Sequence, residues 1–197
     1  MMELNVLLAG VGGQGTVLAS RLIAQAAMDK GFFARTAETI GMAQRGGCVV
    51  SHVRVGEEVY SPLIPLGTAD LLIGFEPGEA VRCLPYLKNG GTVIAAQKAI
   101  MPVTASLGGA AYDGAAMLDY LRENVPGVIL VDGEAICAAC GSPKVLNVAL
   151  LGAAVASGKL GVTMDEMQKT VEARVPAKYL ELNRKALSLG ARAVPAK

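Results

Sequence analysis

The sequence predicts an α/β fold: a doubly wound, mostly parallel, Rossmann-like sheet with a β-hairpin insertion and C-terminal helices. Three observations carry this. The chain is 52% hydrophobic and 18% charged, with 24 glycines and no tryptophan, a composition that suits layered sheet and helix and excludes a disordered or coiled-coil chain. Short continuous apolar runs, the mark of strands covered on both faces, alternate with segments whose apolar residues recur at three- and four-residue steps. A glycine-rich turn, GVGGQG, joins the first such run to the first such helix. The 197 residues give room for one domain with a sizeable core, so 1–197 is read as one unit whose part from about 143 to 190 is helical.

Taken in order, ELNVLLA (Glu3 to Ala9) is the first buried strand. Leu18, Leu22, Ile23 and Ala26 form the apolar face of the helix behind the glycine turn, and Gly31 stops it. FFARTAE (Phe32 to Glu38) reads as the second strand, completing a parallel, right-handed βαβ unit. TIGMAQRGG is a second glycine-bearing loop that leads into a β-branched strand from Cys48 to Val55. Gly56 then turns the chain toward EVYSP, which predicts a hairpin or an antiparallel edge grafted onto the sheet. ADLLIGFE, GEAVRCLPYL and GGTVIAA read as strand, helix and strand; DGAAMLDYLREN is a short helix and GVILVDG one more buried strand. Lys144 to Ser157 is apolar almost all round, so it is expected to lie buried, and its Asn147 must find hydrogen-bond partners, a backbone group before a ligand. Thr163 and Glu166 fit a capping box, and Pro176 opens a last helix running to Gly190.

The totals exclude several function classes. A net charge of +1 without a basic stripe provides no footprint for a nucleic-acid backbone. The longest apolar run, Val145 to Ala156, is far shorter than the ~20 residues of a membrane span. The N-terminus enters a strand without a basic, apolar and cleavage-site sequence, so no secretory signal is read and the cytoplasm is expected. Four cysteines without a regular framework fit a reducing compartment, with Cys48 and Cys83 expected as small buried hydrophobes. Cys137 and Cys140 share one helix face, as a redox or metal pair would, and are read first as two buried structural cysteines; an iron–sulfur cluster generally takes four ligands, so none is assigned to this chain.

Glycine tolerates positive φ and lets backbone approach an anion, while the first N–H groups of a helix lack internal partners and carry partial positive charge. Gly10, Gly12, Gly13, Gln14, Gly15 and Thr16 are therefore candidate cofactor-binding residues, in a loop suited to a phosphate. The same spacing also occurs where tight strand-to-helix packing alone requires glycine. Gly10, Gly12 and Gly15 match the dinucleotide fingerprint, and Glu38, near the end of the second strand, stands where an NAD(P)-dependent dehydrogenase keeps its ribose-binding acid. Against that alternative, His52 is the chain's one histidine, read as structural, and no acid–base pair marks the other strand ends. In the second loop Gln44, Arg45, Gly46 and Gly47 are candidates as well. A guanidinium flanked by glycines can reach a phosphate or carboxylate bidentately, or pair across a subunit interface.

Four stretches in this order, GVGGQG, ETIGMAQRGG, ADLLIGFEPGEAVRCLPYLKNGGTVI and NVALLGA, resemble the small gamma-type chain of the 2-oxoacid:ferredoxin oxidoreductases, and GMAQRGG and GFEPGEA resemble its indolepyruvate-type branch. The resemblance covers nearly the whole chain from about Leu4. It implies a non-thiamine subunit, inactive alone, of an enzyme that takes a 2-oxoacid, coenzyme A and oxidised ferredoxin to acyl-CoA, carbon dioxide and reduced ferredoxin. It further implies that thiamine diphosphate and the iron–sulfur clusters belong to a larger alpha subunit, that no catalytic residue or metal ligand lies in this chain, and that coenzyme A is a possible shared ligand of the two glycine loops. A self-sufficient dehydrogenase and a scaffold protein remain the alternatives.

Overall fold

The computed structural model describes residues 3–40, 47–101 and 111–195. Its strands are β1 (Leu4–Val11), β2 (Phe33–Ile40), β3 (Cys48–Gly56), β4 (Ala69–Gly74), β5 (Leu87–Ala96) and β6 (Ile129–Val131). The α-helices among the described residues are α1 (Thr16–Asp29), α2 (Pro77–Cys83), α3 (Gly114–Asn124), α4 (Gly133–Cys140), α5 (Leu146–Ala156), α6 (Met164–Arg174) and α7 (Leu180–Arg192).

The strands form one sheet in the order β2-β3-β1-β4-β5-β6. β1, β4, β5 and β6 run parallel, and β3 runs antiparallel to both β1 and β2. This is the mixed, mostly parallel α/β architecture the sequence predicts, with two corrections. First, β2 does not pair with β1; it has the direction of the expected βαβ unit, but β3 stands between them, with Leu7 opposite His52 and Ala37 opposite His52 on its other side. The reason lies in composition: β3 is β-branched on both faces, with Val53 fully buried and Val55 nearly so, whereas β2 alternates polar residues that suit a sheet edge. Second, the hairpin is β2–β3 rather than a turn at Gly56, and the EVYSP segment forms no strand.

Each face of the sheet carries its own core. One face, with Leu8, Val53 and Ile73, packs under α1, α5, α6 and α7; the other, with Leu7, Leu72 and Val93, packs under α2 and α3. α5 is buried all round, as expected, and complete burial of its Leu150 and Leu151 stabilises the fold by about 1.5–3 kcal/mol each. It meets α7 backbone to backbone: a Cβ at Gly190 would lie 1.8 Å from the Ala149 carbonyl oxygen, and one at Gly152 2.0 Å from that of Leu187. The Thr163–Glu166 capping box at the start of α6 is formed on both sides. Cys83 is buried as expected, but Cys48 is exposed, because it sits at the outer end of β3 where the apolar run begins. No helix among the described residues is long and apolar enough to cross a membrane.

Candidate functional site

The carboxyl ends of β1, β4, β5 and β6 share one edge, and strand order reverses between β1 and β4. In open α/β sheets ligands bind in the crevice at such a point. The first glycine loop is built there by one side chain. Gln14 Oε1 accepts the Val11 N–H at 2.8 Å, and its Nε2 donates to the Phe75 carbonyl at 2.8 Å, while the Phe75 N–H donates to the Ala9 carbonyl at 2.7 Å. Gly10 is glycine because a Cβ there would lie 2.7 Å from Gln14 Oε1 and 2.8 Å from Phe75 Cβ. Gly13 and Gly15 take φ values of 99° and 81°, conformations that only glycine adopts without strain. Gly15 caps α1 without a side-chain hydrogen bond, and the first turn carries no acidic residue, so the positive end of the helix dipole is left uncompensated by its own side chains.

The two glycine loops meet. The Gly12 N–H donates to the Gly47 carbonyl at 2.9 Å, which joins the β1 turn to the base of the hairpin. Of the second loop's candidates, Gly47 is placed here, whereas Gln44, Arg45 and Gly46 lie outside the described residues. Beside the joined loops opens a cleft of about 440 Å³, with Val11, Ile100 and Leu146 as apolar walls and Lys98, Glu134 and Cys137 among its polar lining. Lys98 and Glu134 form an ion pair, and burial pushes the Cys137 thiol above its ordinary pKa. Lys98 follows β5 and Glu134 opens α4 after β6; sequence reasoning assigned neither, although their places just beyond two strand ends were the signal available.

Glu76, inside the GFEPGEA stretch and only 3% exposed, holds Ile100, one residue of the cleft lining, in place. Its carboxylate caps α2 by accepting the Glu79 N–H at 2.9 Å, and also accepts the Ile100 N–H at 3.3 Å and the Tyr112 hydroxyl. Tyr112 Oη in turn accepts the Gly78 N–H at 3.1 Å; burial first, then the Glu76 hydrogen bond, raises the pKa of its phenol. A buried carboxylate with three donors fixes Ile100, and with it one side of the cleft.

The other candidates fall elsewhere. His52 is buried in β3, accepts the Ile64 N–H at 3.2 Å on Nδ1 and meets Tyr86 edge-on; burial lowers its pKa, so it is a neutral structural group as expected. Glu38 sits on β2, which β3 separates from β1, so it lies one strand spacing, about 5 Å, beyond the position next to β1 that a ribose-binding acid would need. Among the described residues, its Oε1 and the Oγ of its cross-strand partner Ser51 are buried without hydrogen-bond partners. Asn147 accepts the Val148 N–H at 2.9 Å and packs against Gly15, so the expected backbone partner is found for one end of its amide. Cys137 and Cys140 are half-buried on α4, less enclosed than expected.

Residues 5–193 match the family model described as pyruvate ferredoxin/flavodoxin oxidoreductase. The chain belongs to this oxidoreductase family. It is 36% identical over 195 residues to the indolepyruvate oxidoreductase subunit IorB of Pyrococcus horikoshii, covering 98% of this chain and 96% of that one. Among solved structures, the keto/oxoacid ferredoxin oxidoreductase gamma subunit of Geobacter sulfurreducens aligns with a TM-score of 0.74 at 24% identity, over 98% of this chain and 97% of that chain. The 2-oxoglutarate:ferredoxin oxidoreductase of Magnetococcus marinus, solved with 2-oxoglutarate, coenzyme A and succinyl-CoA bound, also aligns with a TM-score of 0.74, at 17% identity, over 98% of this chain and 31% of that much longer one. As an oxidoreductase-family chain the protein is a subunit of a larger complex, and nothing in these likenesses supports the dehydrogenase alternative.

Proposed function

We propose that the chain is the small, non-thiamine subunit of a 2-oxoacid:ferredoxin oxidoreductase acting on indolepyruvate or a related aryl pyruvate, and that its glycine-loop edge forms one side of the chamber where coenzyme A meets the reaction. The observation that carries this reading is the hydrogen bond between Gly12 and Gly47, which ties the first glycine loop to the last residue of the second beside a cleft of about 440 Å³ in a chain of this family. Coenzyme A fits that surface chemically. The uncapped start of α1, the open backbone at Gly13 and the Lys98 ammonium suit its phosphates, and Val11, Ile100 and Leu146 suit its apolar arm. Gln44, Arg45 and Gly46, which precede Gly47 in the sequence, are kept as candidates for the same ligand, the Arg45 guanidinium as a bidentate donor by its chemistry.

The residues present do not fit a cluster: Cys48 is on β3, Cys83 on α2, and only Cys137 and Cys140 share an element. In this reading the iron–sulfur clusters, and with them thiamine diphosphate, belong to a larger alpha subunit that passes electrons to ferredoxin, and the complex works in the cytoplasm. To test this, the chain is purified alone and reassembled with that subunit. Turnover of indolepyruvate is expected only in the complex, and Arg45→Ala and Lys98→Gln each raise KM for coenzyme A about tenfold with little change in kcat, the loss of about 1.4 kcal/mol of binding. An unchanged KM with weaker subunit association would assign the loops to the interface alone. Turnover by the isolated chain with thiamine or a metal of its own would overturn the division of labour.

A further inference from the structure

A second cavity, separate from the cleft, lies where the start of α1 meets the residues leading into α5 and the ends of α6 and α7. Pro143 and Leu146 face the cleft, whereas Lys144 and Asn147 line this cavity. Its volume of about 230 Å³ is below the ~300–1,000 Å³ of pockets that hold drug-sized ligands and cofactors, so it suits a molecule the size of one aromatic acid and not a nucleotide.

Two buried amides look into it, and each is half satisfied. Asn147 is 4% exposed and Asn183 7%. Asn147 Oδ1 accepts the Val148 N–H, and Asn183 Nδ2 donates to the Tyr179 carbonyl at 2.8 Å. Among the described residues nothing hydrogen-bonds Asn147 Nδ2 or Asn183 Oδ1, so the cavity presents one open donor and one open acceptor to an occupant. Lys144 and Arg174, both exposed, add two cations to the lining, and Leu18 and Leu182 add apolar wall. We propose that this cavity binds a small aromatic carboxylate that carries one hydrogen-bond donor. The carboxylate is held by Lys144, Arg174 and Asn147 Nδ2, the donor by Asn183 Oδ1, and the ring by the leucines. The site stands independently of the coenzyme A reading, because none of its polar groups lines the cleft.

The test is a titration of the nitrogen-labelled full chain with indole-3-acetate and with phenylacetate, which lacks the ring N–H, followed by magnetic resonance. Saturable shifts are expected at the Asn147 and Asn183 side-chain amides, with indole-3-acetate binding about fivefold tighter, the usual contribution of one hydrogen bond. Lys144→Gln and Arg174→Gln, at exposed rim positions that leave the fold intact, each weaken both acids about fivefold or more, and Asn183→Leu removes the difference between them. Shifts that never saturate, that survive in the Lys144→Gln/Arg174→Gln pair, or that appear only at Gly12 and Gly13 would overturn the proposal, as would an amide pair that only ordered water fills.

Discussion

At Gln14 a single amide spans the carboxyl ends of two strands, accepting from Val11 and donating to Phe75. Both of its heteroatoms are engaged with backbone, so its first effect is on the shape of the loop. Gln14→Leu keeps the volume and strands a backbone donor and a backbone acceptor at a part-buried place, which costs about 2 kcal/mol. Urea unfolding should show that loss as a lower midpoint with an unchanged slope. His52 makes a different residue-scale prediction. Burial holds its folded pKa below the ordinary 6.5, so the unfolded chain takes up its proton first. Its contribution to stability is complete above about pH 6.5 and is lost as pH falls through that value toward the lower folded pKa. Glu166 and Glu172 are shifted below 4.5, chiefly by hydrogen bonds from the Thr163 N–H and from Arg184 respectively, so their losses begin only in that more acidic range. Denaturant midpoints measured from about pH 7 down to 5 should therefore decline in the native protein, and His52→Gln should flatten the decline. An equal slope in both proteins would remove His52 as its cause.

Among the elements, the contact between α5 and α7 is set by two glycines, and Gly190→Ala tests it. Alanine is the better helix former by about 1 kcal/mol, but its Cβ would lie 1.8 Å from the Ala149 carbonyl oxygen, which rigid backbone cannot vacate. Separating the helices exposes or loosens a core that includes Leu150 and Leu187, so a net loss of about 2 kcal/mol or more is expected in thermal or urea unfolding. Ser188→Ala, on the exposed side of the same helix, should stay within about 0.5 kcal/mol. The two cases show which features could be read from sequence. The all-apolar stretch from Val145 announced a buried helix, and Thr163 with Glu166 announced a cap, because both depend on neighbours along the chain. The insertion of β3 between β1 and β2 depends on which strand gains more by leaving the edge, a comparison of Val53 and Val55 with Arg35, Glu38 and Thr39 that no local pattern states. Cys48 was misplaced for the same reason: an apolar run does not say where burial begins.

At the scale of the molecule, the sheet gathers turns from distant parts of the chain at one edge. Gly13 follows β1, Lys98 follows β5 and Glu134 follows β6, yet all three line one cleft. The glycine loop was recognisable from its spacing, whereas Lys98 and Glu134 gained meaning only once the strand ends were aligned. This convergence has an energetic signature. Gly13→Ala strains a residue at φ 99° by about 1–2 kcal/mol and disturbs the backbone facing the cleft, and Lys98→Gln removes the Lys98–Glu134 ion pair across it. Side chains that share a ligand couple, so in the assembled enzyme the two changes combined should depart from additivity in KM for coenzyme A by about 0.5 kcal/mol or more. Tyr60 lies between β3 and β4, at the opposite edge of the sheet, and is exposed. Lys98→Gln combined with Tyr60→Ser should therefore be additive within about 0.3–0.5 kcal/mol. Additivity in both pairs would mean that the glycine loop and Lys98 never touch the same ligand, and coenzyme A would then have to be held elsewhere in the complex.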